Sequence, residues 1–362
     1  MPVIIDGTNG ITQAGEFNSD SSFGFKNRII NGAMVIDQRN AGASVTQTTS
    51  EGYSLDRFLG YGNITSKFTM QQSSTAPAGF VNSVVITSSA ATVVGSSDQY
   101  YFAQKIEGYN TADLGWGTAN AKTVTLSFWA RASVIGTYSV FLLNDGSAYS
   151  YVANYTISVA NTFEYKTITI VAPTVGTWLT TNGLGIYLGW DLGSGSTYNQ
   201  TAGSWQAANK RATSGSTQLV ATSGATLYLT GVQLEVGSTA TSFDYRSYGT
   251  ELALCQRYFQ KNYMQSDAIG VSSGTAEAQR SIVIAYSGSE YSNCIYLKQT
   301  MRTSPSLSFW LTNGTANTWI ALPAVSNRTV SPSGVSDNGF SVSAATTGDS
   351  SLQGMWATSA EL

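Results

Sequence analysis

The chain of 362 residues contains no histidine. This removes the most common general acid/base and the most common biological metal ligand. Ser-His-Asp and Cys-His nucleophile pairs go with it, as does every His-containing zinc site. Only two cysteines occur, Cys255 and Cys294, too few for a disulfide framework or a Cys-rich metal centre. Cys255, in a helical pattern with Leu252 and Leu254, reads as a small core hydrophobe. Charge is also scarce: Asp, Glu, Lys and Arg make up 11% of the residues, with a formal net charge of −3. About 25% is usual for globular proteins. Lys and Arg are scattered rather than striped, so no nucleic-acid partner is expected. No run of about 18 apolar residues occurs, so no membrane insertion is expected. The opening MPVIIDGTNG lacks a basic region followed by an apolar run, so it does not read as a signal peptide. A soluble protein made in a cytoplasm is the expectation.

In place of charge stand Ser, Thr, Gly and Asn, with 20 Tyr, 14 Phe and 8 Trp. β-branched and aromatic side chains fit a pleated surface, so this composition predicts an all-β protein. The length suits two or three domains. From Phe25 to about Tyr245 the pattern is one of period-two strands between Gly/Asn/Ser turns. Val124, Leu126, Phe128 and Ala130 share one face of a strand over Thr123 to Arg131. Tyr138 to Leu143 ends in the turn Asn144-Asp145-Gly146. Thr167 to Val171 turns Ile168 and Ile170 inward, and Ile186, Leu188, Trp190 and Leu192 share a face of the next strand. Between Thr226 and Glu235 the apolar phase slips, from Leu227 and Leu229 to Val232 and Leu234, and a bulge near Thr230-Gly231 would restore one inward face. Many strands with short turns predict a sandwich or jelly roll.

Thr250 can cap a helix opening on Glu251, with Leu252, Cys255, Tyr258 and Phe259 on one side and an end near Tyr263. Strands return over Ser281 to Tyr286, Cys294 to Leu297, Ser306 to Leu311 and Phe340 to Ala344. The expected architecture is a jelly-roll β-sandwich, a short helix and a second, smaller β domain. Residues 1–24 are Gly-, Asn- and Ser-rich, with one apolar patch, Val3-Ile4-Ile5; they read either as a docking segment or as a disordered tail.

Three stretches carry a family resemblance: NRIINGAMVIDQRNAG (Asn27 to Gly42), VTLSFWARA (Val124 to Ala132) and GVQLEVG (Gly231 to Gly237). They resemble the opening, middle and closing strands of jelly-roll carbohydrate-binding modules carried by tail fibres and receptor-binding proteins of tailed bacteriophages. ELALCQRYF, LKQTMRTSPSLSFW and the ending MWATSAEL resemble the C-terminal domain of the same fibres, and IDGTNGIT resembles their start. The resemblance implies a virion-attachment segment over 1–24, contacting other virion proteins through Val3, Ile4 and Ile5. It implies a carbohydrate-module-like sandwich over 25–247 and a helix-led domain over 248–362 that forms a homotrimer at the receptor-facing end. The implied function is non-covalent binding of a host surface glycan for adsorption, by a protein of the virion assembled in the host cytoplasm. The alternative is a purely structural virion part, such as a head fibre, collar or baseplate decoration.

A glycan depolymerase needs a pair of carboxylates and no histidine. Glu107, Glu164 and Asp191 lie near strands, but nothing in the sequence pairs them, so no catalytic residues and no enzyme are expected. Gly183-Leu184-Gly185 and Gly193-Ser194-Gly195 are followed by no helix and read as turns, not phosphate cradles. No EF-hand-like loop occurs, and neither a metal nor a cofactor is expected. The aromatics are the better clue, because sugar rings stack their apolar CH faces on Trp and Tyr. Trp129 opposes the core face of its strand, and Tyr187 and Asp191 share an outward parity. These three are candidates for a glycan platform, or else they cover a second sheet or a subunit contact. Trp310, opposing Leu307, Phe309 and Leu311, and Trp319, in a Thr/Asn-rich loop, are candidate receptor or protomer contacts. Trp205 is expected to fold back on the sandwich as a plug.

Overall fold

The computed structural model describes residues 26–272, 278–284, 288–323, 325–345 and 348–362, with residues 4–6, 10–13, 285 and 286 as backbone. Of the predicted attachment patch, Val3 lies outside the described residues. Ile4 and Ile5 belong, as backbone, to the strand Ile4–Asp6 paired with Gly10–Gln13. The protein is nearly all β, with one helix among the described residues.

Two antiparallel sheets form the sandwich. One runs, edge to edge, through Trp205–Gln206, Ser150–Ile157, Gly136–Leu143, Leu184–Ser194, Gln99–Glu107, Phe58–Gly62 and Gly52–Leu55. The other runs through Glu164–Ile170, Val124–Ala132, Thr226–Val236, Ser83–Ser88, Phe68–Ser73 and Val45–Thr46. The expected parities hold. Val124, Leu126, Phe128 and Ala130 from one sheet and Ile186, Leu188, Trp190 and Leu192 from the other are buried in a common core. The predicted bulge lies between Thr230 and Gln233. Gly231 takes φ +60° there, the left-handed conformation that glycine adopts without a Cβ penalty. Leu227, Leu229, Val232 and Leu234 consequently all reach the core.

The opening segment closes on this last strand. The Asn27 amide donates to the Val232 carbonyl at 3.0 Å, and its Oδ1 accepts from the Ile29 and Leu234 amides. From there the chain turns toward the helix. Ile30 and Ile36 bury Cys255 and Tyr258, as expected of Cys255.

The helix itself, Tyr248–Gln256, differs from expectation at both ends. Ser247 precedes it, Thr250 lies within it, and the Glu251 carboxylate accepts from Arg246 and from the Asn31 amide. It stops early because Phe259–Lys261 pairs with the strand Ser351–Ser359. Tyr258 and Phe259 are therefore buried beyond the helix, although their spacing continues its apolar face.

In the second body, Ser351–Ser359 is the hub. It pairs with Phe259–Lys261, Gln279–Tyr286, Ser306–Trp310 and Thr318–Leu322. The sheet continues through Ser289–Ser292, Gly339–Ala344 and Ser326–Ser333, around a core that includes Phe309, Trp319, Phe340 and Trp356.

Between the two bodies lies a seam of buried charge. Glu107 is fully buried and accepts from Arg257 Nε at 2.8 Å and from the Tyr258 hydroxyl at 2.6 Å. Glu361 pairs with Arg39 and Arg57, whose guanidinium groups lie 3.8 Å from the Phe259 ring centroid and 3.5 Å from that of Tyr258. Arg302 donates to the carbonyls of Asn182, Ala360 and Glu361. Removing one partner of a buried pair leaves the other uncompensated. Arg257→Met is expected to lower the unfolding free energy by about 3 kcal/mol, with Glu107→Gln added to it recovering part of the loss. Urea unfolding of the full chain measures both; a loss for Arg257→Met within about 0.5 kcal/mol of zero refutes the role given to the pair.

Candidate functional site

The outer face of the six-stranded sheet carries an aromatic cleft of about 600 Å³, within the ~300–1,000 Å³ usual for small-molecule sites. One wall is a cross-strand pair: Trp129 stands directly opposite Tyr165, ring centroids 5.3 Å apart. The other wall is a cluster of Phe80, Phe243 and Tyr245, with centroid separations of 4.8 to 5.5 Å. Tyr165 and Tyr245 are exposed, and Trp129, Phe80 and Phe243 are half-buried. Ser127 and Gly231 lie between the walls, with Thr241 and Ser242 completing the lining on the side of the Phe243 loop. Gly231 lets the two walls close in over the sheet: a Cβ there would come within 2.6 Å of the Phe80 ring and 3.0 Å of Trp129.

The second wall rides on a loop strapped to the sheet. Beyond the bulge, Gln233 and Glu235 point to the outer face, and both are buried beneath that loop. Glu235 accepts from the Thr241 amide at 2.8 Å and from its hydroxyl at 2.6 Å. Gln233 receives the Asp244 amide at 2.7 Å and donates to Glu235 at 2.8 Å. The Tyr245 hydroxyl donates to the Gly79 carbonyl, tying the wall to the neighbouring turn. The cleft thus offers flat aromatic surfaces with hydroxyls between them, the chemistry that holds a pyranose ring.

Of the predicted platform, only Trp129 belongs to this cleft. Tyr187 and Asp191 lie on the other sheet and are buried, which corrects their assignment to one exposed surface with Trp129. A second apolar layer covers them: Tyr187 packs with Tyr101, Phe141 and Leu59, and its hydroxyl donates to Glu51 at 2.8 Å. Trp319 is also corrected. It sits in the strand Thr318–Leu322, fully buried, with Nε1 donating to the Met355 carbonyl at 3.1 Å. Gly354 leaves the room for its ring, since a Cβ there would lie 2.1 Å away. Trp310 is half-buried against Tyr263. Trp205 does fold back, among Trp116, Trp178, Tyr149 and Tyr151, and donates to the Val171 carbonyl. Glu107 and Glu164 are held by Arg257 and Lys166 respectively, and neither lines the cleft. No group of three or more His, Cys, Asp or Glu suited to a metal ion occurs among the described residues. No described helix is long and apolar enough to cross a membrane.

Four of the five aromatic residues of the cleft were not picked out in the sequence. Tyr165 was within reach, because it has the outward parity of its strand. Phe243 and Tyr245 come from a loop without periodicity, and Phe80 from a turn.

No family model and no curated protein matches the chain. Among solved structures it is similar to the enzymatically active domain of bacteriophage CBA120 tailspike protein 4, at 13% identity and TM-score 0.30, over 59% of this chain and 22% of that one. The chain thus spans about a fifth of that tailspike structure. It is also similar to the family 11 carbohydrate-binding module of the Clostridium thermocellum cellulase Lic26A-Cel5E, at 10% identity and TM-score 0.28, over 55% of this chain and 98% of the module. The N-terminal cellulose-binding domain of Cellulomonas fimi β-1,4-glucanase C matches at 12% identity and TM-score 0.26, over 49% of this chain and 91% of that domain. The functional reading rests on the cleft and not on these likenesses.

Asp191, although outside the cleft, supplies a pH signature. Burial pushes its carboxyl up to about 7 from an ordinary 3.8, against hydrogen bonds from Ser194 and Gly193 and the charge of Arg211. The folded chain therefore holds this proton where the unfolded chain has lost it. The resulting stabilisation is complete below about pH 4 and is lost as pH rises toward about 7. Denaturant unfolding of wild type and Asp191→Asn should diverge over that window by on the order of 4 kcal/mol, with the flatter profile in the variant.

Proposed function

We propose that this chain binds glycan non-covalently through the Trp129–Tyr245 cleft, as a receptor-binding or fibre protein on the virion of a tailed bacteriophage. The observation that carries the glycan reading is a cleft of about 600 Å³ with Trp129 and Tyr165 on one side and Phe80, Phe243 and Tyr245 on the other. The phage setting is supported by the motifs at Asn27 to Gly42, Gly231 to Gly237 and Glu251 to Phe259. The cleft is proposed to bind without catalysis: among the described residues no carboxylate lines it, so no acid/base pair of theirs faces a bound sugar there.

Assembly as a homotrimer is part of the reading. Ile282 and Ile284, each 71% exposed, stand on the outward side of Gln279–Tyr286, and Ile284 faces Tyr291 across the strand pair. Exposed aliphatic residues on a strand call for cover. Three clefts on one body would raise avidity by roughly 10²–10⁴ over a single weak site. The same exposed face also serves the second reading, a structural part of the particle with no receptor role.

Adsorption of labelled full-length protein to host cells, before and after periodate treatment, tests the function. Trp129→Ala and Tyr245→Ala should each weaken adsorption about ten- to a hundredfold, and periodate should abolish it. Adsorption indifferent to both variants and to periodate would leave the structural reading. Light scattering tests the assembly: wild type should have three times the chain mass, and Ile282→Asp with Ile284→Asp should dissociate it to monomer. A wild-type monomer refutes the trimer.

A further inference from the structure

We infer that the cleft selects uncharged saccharide chains and rejects acidic ones, an inference that deepens the glycan reading above and rests on it. Among the described residues lining the cleft, none carries a charge. The basic groups nearby are already engaged. Lys26 donates to the Thr241 hydroxyl, which in turn donates to Glu235. Lys166, next to Tyr165 in sequence, pairs with Glu164 at 2.6 Å. Arg131, two residues from Trp129, lies over the Tyr228 ring and donates to the Asn161 carbonyl.

A carboxylate, sulfate or phosphate entering the cleft would lose water and find no cation in the lining itself, the Lys26 ammonium behind it being held by Thr241. Burying an unpaired anion is strongly unfavourable. The aromatic walls add to the penalty, since ring faces carry partial negative charge and repel anions. A neutral pyranose brings what both surfaces accept. Its CH faces carry partial positive charge for the rings, and its hydroxyls can exchange hydrogen bonds with Ser127 and Ser242.

Ionic strength separates the two ligand classes, because attraction between opposite charges is screened by salt and CH–aromatic stacking is not. The test is binding of the full-length protein to an array of neutral and acidic bacterial surface saccharides, repeated at about 50 and about 500 mM NaCl. Trp129→Ala and Tyr245→Ala are run in parallel, with the pH kept near neutrality. The expected result is that neutral saccharides dominate by at least about tenfold over acidic analogues of the same backbone. Their binding should change less than about twofold with salt and fall about tenfold or more in either variant. Acidic or amino-cationic saccharides as the main ligands, lost in both variants, would overturn the selectivity and leave the glycan site standing. Binding unchanged by either variant, or no binding across the array, would overturn the glycan reading and this inference with it.

Discussion

One extra residue in one strand organises both the core and the cleft. The bulge at Gly231 reverses the facing of every residue after it, so a strand that would otherwise send Val232 and Leu234 outward keeps all its apolar side chains in the core. The same reversal sends Gln233 and Glu235 outward, where they hold the loop bearing Phe243 and Tyr245. The left-handed backbone favours glycine, and the absent Cβ lets Phe80 and Trp129 close in over it. Asn27 then secures the distorted ladder from the opening segment of the chain. Fold closure and site formation are two results of the same backbone irregularity.

What was legible in the sequence follows from the same geometry. Side-chain alternation identifies which residues turn away from the inter-sheet core, and it placed the core strands, the bulge and the outward Trp129 correctly. Alternation is silent on what lies over an outer face. Tyr187 and Asp191 do turn away from the core, but a second apolar layer with Arg211 against its rings covers that side. Trp319 was hidden differently: its five-residue strand follows a polar stretch, and the space for its ring is an absent side chain, at Gly354. The helix was overextended because Tyr258 and Phe259 are as buried after it as they would be within it. Pattern gives burial, and hydrogen-bond partners 100 residues away decide whether the backbone is coil, helix or strand.

The distribution of charge has the same logic. A chain with few ionisable residues places several of them in the seam between its two bodies, where Glu107, Glu361, Arg39, Arg57, Arg257 and Arg302 meet. Buried pairs of this kind add little net stability compared with apolar packing, but they tolerate only one arrangement of their partners. A fixed relation between the sandwich and the second sheet follows from that intolerance, whereas the cleft itself is left to aromatic and hydroxyl chemistry.

The hub position of Ser351–Ser359 has a consequence for biosynthesis. The sandwich has all its strands by Val236 and can close while the following residues are still being added. The second sheet has no such option, because four of its strands wait on the same late partner. At roughly 5–20 residues per second, the ribosome needs several seconds to pass from the end of the first body to that strand. During that interval Gln279–Tyr286 lacks its partner on the Ser351–Ser359 side and carries exposed isoleucines. The nascent second body, rather than the finished protein, is therefore where aggregation or premature contact between neighbouring chains on one message would arise.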